Sequence, residues 1–132
     1  MINDIHISEN FKLSEFQSGD TQEVKIDPEL VEKLEKLRKR IGQPLVINSG
    51  YRTKEHHVNI YKDLYGDKWK EKIAWGSLHL KGIAGDIAKV KGLSIDEMAV
   101  LAQKAGFDGI GKYDWGIHVD VRGNGPARWD NR

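Results

Sequence analysis

The chain has 132 residues, 39% apolar and 31% charged, the balance of one soluble globular domain large enough to bury a core unaided. Basic and acidic residues number 21 and 20, for a formal net charge of +1. Nucleic acid is a poor partner for such a chain, since phosphate binding needs a basic footprint. With no cysteine, disulfides, thiolate metal sites and thiol nucleophiles are excluded, so any chemistry falls to imidazole, carboxylate and hydroxyl groups.

Residues 1–26 read as an arm packed on the domain, anchored by Phe11, Leu13 and Phe16. No apolar stretch is long enough for a membrane span or a signal peptide, so the expectation is a soluble protein made in the cytoplasm, without membrane insertion. A first helix is predicted after Asp27 and Pro28, with Leu30, Val31, Leu34, Leu37 and Ile41 at helical spacing and Gly42 as its stop. Leu45-Val46-Ile47 reads as a buried strand ending in a turn at Asn48-Ser49-Gly50. A second helix starts near Thr53 and carries Val58, Ile60, Tyr61 and Leu64, and Gly66 to Gly76 reads as a loop or short helix.

Ser94-Ile95-Asp96-Glu97 has the spacing of a capping box and opens a third helix that stops at Gly106. Residues 109–113 and 117–121 are expected to form two strands joined by a tight turn at Asp114-Trp115-Gly116. The whole is one domain spanning 1–132.

Strand alternation isolates the residues of chemical interest. In Ile117-His118-Val119-Asp120-Val121 the apolar side chains share one face, and His118 and Asp120 share the other. Asp86 lies on the face of Ala84 and Ala88, whose small side chains leave room around it. His79 precedes that strand in a glycine-flanked loop. Together His79, Asp86 and His118 would make a three-ligand set of the kind that catalytic zinc sites use, with a fourth position for water. The opposing reading of His118 and Asp120 is a solvated outer sheet face.

Ser77-Leu78-His79-Leu80-Lys81-Gly82-Ile83-Ala84-Gly85-Asp86 fits the pattern S-x-H-x-x-G-x-A-x-D, followed downstream by His118-Val119-Asp120 and preceded by Ser49-Gly50-Tyr51-Arg52. Over about residues 11 to 122 the chain thereby resembles the zinc D-alanyl-D-alanine carboxypeptidase family, which includes phage L-alanyl-D-glutamate endolysins. The resemblance implies an α+β fold with helices on a small, mainly antiparallel sheet, Hedgehog/D-Ala-D-Ala carboxypeptidase-like. It implies one Zn2+ per chain on His79, Asp86 and His118. It further implies a peptidase acting on peptidoglycan stem peptides in the cell wall after release, possessing Arg52 as the group facing a substrate carboxylate or the developing oxyanion. Ser77 is a candidate substrate-binding residue. A prophage-type lysis enzyme, with a holin as its physiological partner, fits the same resemblance.

The family pattern has an acidic residue three positions before its second histidine; here that position is Trp115. Asp114 and Asp120 are the alternatives for the general base, with Asp114 preferred. His56 and His57, adjacent on a helix, cannot both face one metal and are expected on the substrate side or in solvent. Trp69, Trp75, Trp115 and Trp129 are candidates for a cleft lining, with packing as the default for each. The rival readings are a non-catalytic zinc-binding module and a phage structural protein with a vestigial site.

Overall fold

The computed structural model describes residues 2–132. The fold is α+β, with three long helices on a mixed sheet of five strands. The strands are β1 (Ile47–Ser49), β2 (Ala84–Ala88), β3 (Gly109–Tyr113), β4 (Gly116–Asp120) and β5 (Ala127–Asp130), in the spatial order β1-β2-β4-β3-β5. All pairings are antiparallel except β3 with β5, which is parallel. The sheet is thus mainly antiparallel, as expected, and β5 is an edge strand that the sequence reading did not anticipate.

Helix α1 (Pro28–Ile41) begins where expected: the Asp27 carboxylate accepts the Glu29 N–H at 2.8 Å, and Gly42 returns its N–H to the Arg38 carbonyl. Its buried stripe is Leu30, Val31, Leu34 and Leu37. Each such side chain, once fully buried, contributes about 1.5–3 kcal/mol. Helix α2 (Lys54–Tyr65) is capped by Thr53, whose Oγ1 accepts the His56 N–H at 3.1 Å. A short helix α3 (Trp69–Lys72) follows. Helix α4 (Ile95–Ala105) starts in the expected capping box, Ser94 and Glu97 each bonding the other's backbone N–H.

One sheet face carries Ile87, Ile110, Ile117 and Val119 into the main core, where α1 packs on α4 and α4 covers β3 and β4. The arm is part of this core: Phe11 and Phe16 are buried with their rings in contact, and Leu13–Phe16 form a single 3-10 turn.

The first strand is displaced from its expected position. Pairing with β2 involves Ile47 and Ser49, with a bulge between them, and Val46 is exposed. The apolar run Leu45-Val46-Ile47 is therefore the entry to an edge strand, and Asn48 and Ser49, expected in its closing turn, belong to the strand itself. An edge strand buries only part of its surface, so a continuous apolar run is not required of it.

Candidate metal centre

The opposite sheet face is built from small residues and three polar ones. The register β2–β4–β3 aligns Asp86 with His118 and Gly111, and Ala84 with Asp120 and Gly109. His118 and Asp86 therefore stand side by side at a non-core face of the sheet, as strand alternation predicted. His79 reaches the same point from a 3-10 turn, Leu78–Lys81, ahead of β2. Gly82 closes that turn at φ +72°, and a Cβ there would lie 2.3 Å from the Lys25 carbonyl oxygen. Glycine is required on both counts.

The three side chains converge. His79 Nε2 and His118 Nδ1 lie 3.2 and 3.1 Å from the same Asp86 oxygen, Oδ1, and one ligand atom from each residue falls within 4.8 Å of the others. Four-coordinate zinc with bonds of about 2.0–2.1 Å separates its donors by about 3.3 Å, so the two nitrogen-to-Oδ1 distances match the spacing that such an ion requires. The outer contacts also fit. His79 Nδ1 donates to the Gly50 carbonyl at 2.7 Å, which aims Nε2 at Asp86. His118 Nε2 donates to Asp120 Oδ2 at 2.8 Å, which directs Nδ1 toward Asp86. Histidine ligands are characteristically oriented in this way by a carbonyl or carboxylate on their far nitrogen.

Burial pushes the Asp86 carboxyl up, but hydrogen bonds from His118 and His79 and their charge outweigh it and hold the group well below the ordinary carboxylate range. Burial likewise raises Asp120, and the bonds from His118 and Arg122 reverse it. For His118, burial lowers the pKa and the two carboxylates more than compensate, leaving it raised. Each carboxylate favours a proton on the ring nitrogen that faces it. A divalent ion would take the place of the inner proton.

A cavity of about 370 Å3 opens over the cluster, lined by His79, Asp86 and His118. Arg52 lines it too. Its guanidinium is braced by Nε to Ser49 Oγ (3.1 Å), by NH1 to His57 Nδ1 (3.4 Å) and by NH2 to Asp86 Oδ2 (3.5 Å). Burial lowers the Arg52 pKa and the Asp86 charge opposes that shift. Ser77 also lines the cavity.

The two carboxylates considered for proton transfer are placed elsewhere. Asp114 is exposed in the β3–β4 turn and does not line the cavity. Asp120 is fully buried behind His118, with Oδ1 and Oδ2 also held by Arg122 Nε and NH2 at 2.9 and 2.8 Å. Among the described residues, Asp86 is the sole acidic side chain that lines the cavity.

Other residues at the site were not anticipated. Arg122, two positions beyond Asp120, continues the alternation that identified His118, and that signal could have found it. His57 is wholly buried, neither on the substrate side nor in solvent, with Nε2 bonded to the Ala74 carbonyl at 2.8 Å. Its spacing from Tyr61 and Leu64, at i+4 and i+7, puts it on the helix face from which those two residues line the cavity. Of the four tryptophans, Trp115 and Trp129 line the cavity, along with Tyr61, Tyr65 and Tyr113.

No curated protein sequence matches the chain. A family model described as Peptidase M15 matches residues 9–62, from the arm through most of α2. That match includes Arg52 and ends before the three converging side chains. M15 peptidases are zinc-dependent, and the cluster is of the kind that could hold such an ion. Among the described residues no helix is long and apolar enough to cross a membrane. The match covers less than half of the chain, and over those residues it supports a likeness to the Peptidase M15 family, in line with the resemblance carried by the sequence motifs.

Proposed function

We propose that the protein is a zinc metallopeptidase that hydrolyses a peptide bond in bacterial peptidoglycan stem peptides, acting on the wall after release. The observation that carries this reading is the convergence of His79, Asp86 and His118 at the floor of a cavity that Arg52 also faces. The fold it goes with is the Hedgehog/D-Ala-D-Ala carboxypeptidase-like arrangement. A zinc ion held there supplies Lewis-acid chemistry, lowering the pKa of water to about 7 and polarising the scissile carbonyl.

The chain's own residues do the rest. Arg52 retains two N–H groups beyond its three braced contacts, and these bind a substrate carboxylate or the carbonyl oxygen as it gains charge. The bracing fixes the guanidinium before substrate arrives, so little ordering remains to be done at binding. Ser77 offers a hydroxyl at the cavity wall for the substrate backbone. Asp120 accepts the His118 Nε2 proton and pairs with the Arg122 guanidinium. We assign it that orienting role in place of the general base, and assign Asp114 no role in the reaction. Tyr61, Tyr65 and Trp115 give the cavity flat walls suited to an extended peptide.

The small number of carboxylates in the cavity favours one other reading, a zinc-binding module without hydrolysis. One experiment separates the two. The zinc-loaded protein is incubated with purified peptidoglycan and the products are identified by mass spectrometry. New amino and carboxyl termini at one stem-peptide bond, abolished together with zinc content in His79→Ala, Asp86→Ala and His118→Ala, are expected. Stoichiometric zinc with no cleavage establishes the module instead. Asp114→Asn is expected to retain wild-type turnover at full zinc occupancy.

A further inference from the structure

The last strand places a tryptophan inside the site. Trp129 is the Cα partner of Gly111 in the parallel β3–β5 pairing, and its indole occupies the space where a Gly111 side chain would stand, 2.3 Å from a Cβ built there. From that position the ring packs against His118, with centroids 5.1 Å apart, and under the Arg122 guanidinium at 5.5 Å. Its Nε1–H donates to the Tyr113 hydroxyl at 2.8 Å.

An indole nitrogen is only a donor, so in this bond the phenol oxygen is the acceptor. The phenol's own proton is thereby left to point elsewhere, and it has no partner among the described residues. The Tyr113 ring is also held by stacking on Trp115, with centroids 4.9 Å apart and planes inclined by 16°. Tyr113 lines the same cavity as Arg52 and the His79-Asp86-His118 cluster.

We propose that the Tyr113 hydroxyl is a substrate-facing hydrogen-bond donor of this cavity, fixed in that role by the indole of Trp129. The inference rests on the hydrolytic reading above and adds a second donor to Arg52 for the carbonyl oxygen on which negative charge develops. No proton is transferred: the phenol keeps its hydrogen and shares it. A donor already aimed before reaction needs no reorganisation as charge appears, the condition under which such bonds contribute most. It also makes β5, beyond the residues of the family match, part of the working site.

The test uses the full chain. In the metal-free protein the indole N–H resonance of Trp129 is expected to move on Tyr113→Phe; an unmoved resonance means the bond is absent and overturns the proposal. In the zinc-loaded protein Tyr113→Phe is expected to lower kcat on the order of 100-fold, with KM and zinc content near wild type. Trp129→Phe keeps a ring against His118 but frees the phenol, so it should produce part of the same loss. The double variant should be no slower than Tyr113→Phe alone.

A Tyr113→Phe enzyme with wild-type kcat overturns the proposal and leaves the peptidase reading standing. Losses in the two variants that multiply also overturn it, since the tryptophan then acts independently of the phenol. If the wild-type protein loads zinc and cleaves no stem peptide, the peptidase reading falls and the inference falls with it.

Discussion

His118 donates its Nε2 proton to Asp120, 2.8 Å away on the same strand, while its Nδ1 faces Asp86 on the neighbouring strand at 3.1 Å. Two residues of one alternating strand are thus a candidate ligand and the group that orients it. Replacing Asp120 by Asn keeps an acceptor of similar shape but removes the charge that favours a proton on Nε2. Zinc affinity is expected to fall about 10–100-fold, measured by competition with a chromogenic chelator. Unchanged affinity would mean that strand geometry alone sets the ring.

Zinc should also act as a folding ligand. An ion that binds the native chain and not the unfolded one stabilises it by about 2.7 kcal/mol at a free concentration of 100 Kd. The wild-type melting temperature is therefore expected to rise with added zinc and to return on chelation. His79→Gln, close in volume, should melt at the same temperature with and without zinc. A residual zinc-dependent rise in that variant would place the ion on other donors.

Much of this was legible from the sequence for local physical reasons. Helices α1 and α4 announce themselves through Asp27, Gly42 and the Ser94/Glu97 box, because caps and a 3.6-residue stripe act within a few turns. His118 and Asp86 were legible because a strand has a period of two, and His79 because glycines free its loop. The parts not legible depend on partners distant in sequence. Ala127-Arg128-Trp129-Asp130 alternates apolar and polar over only four residues, too short a run to mark a strand by itself, and it is a strand because β3 offers an unpaired edge. Without β5, nothing in the sequence separates Trp129 from any packing tryptophan. Asp114 stood close to His118 in sequence, but of the two turn residues it is Trp115 that lines the cavity while Asp114 is exposed outside its lining, so proximity along the chain did not become proximity to the cavity.

The small residues of the site face are required for space. A Cβ on Gly109 would stand 2.1 Å from Asp120 Oδ2, and that carboxylate is pinned by His118 and Arg122. Gly109→Ala should destabilise the protein by about 1–3 kcal/mol, read from urea unfolding, and weaken zinc binding through the displaced Asp120. Gly85→Ala, on β2, is the control, since a Cβ there meets nothing within 4 Å. Equal stability of the two variants would show that the carboxylate can retreat.

Acid sensitivity should be traceable to one exposed carboxylate in the arm. Asp20 accepts Ser18 Oγ–H at 2.6 Å and Thr53 Oγ1–H at 2.9 Å, and Thr53 is the cap of α2. The Ser18 bond first, and the Thr53 bond after the opposing effect of burial, hold its pKa below the ordinary 3.8. A carboxylate depressed in the folded state contributes stability that is fully present above its unfolded pKa and is lost as pH falls through the folded value. Asp20→Asn is therefore expected to melt below wild type near neutral pH, with the gap closing below about pH 4 as the wild-type group takes up its proton. The other depressed carboxylates, Asp86, Asp120 and Asp130 among them, titrate in both proteins and cancel in the difference. Because α2 supplies the cavity wall through Tyr61 and Tyr65, the same substitution should loosen substrate binding near neutral pH and leave zinc content unchanged. A melting gap that stays constant across this range would assign the Asp20 contacts to shape alone, with no part played by charge.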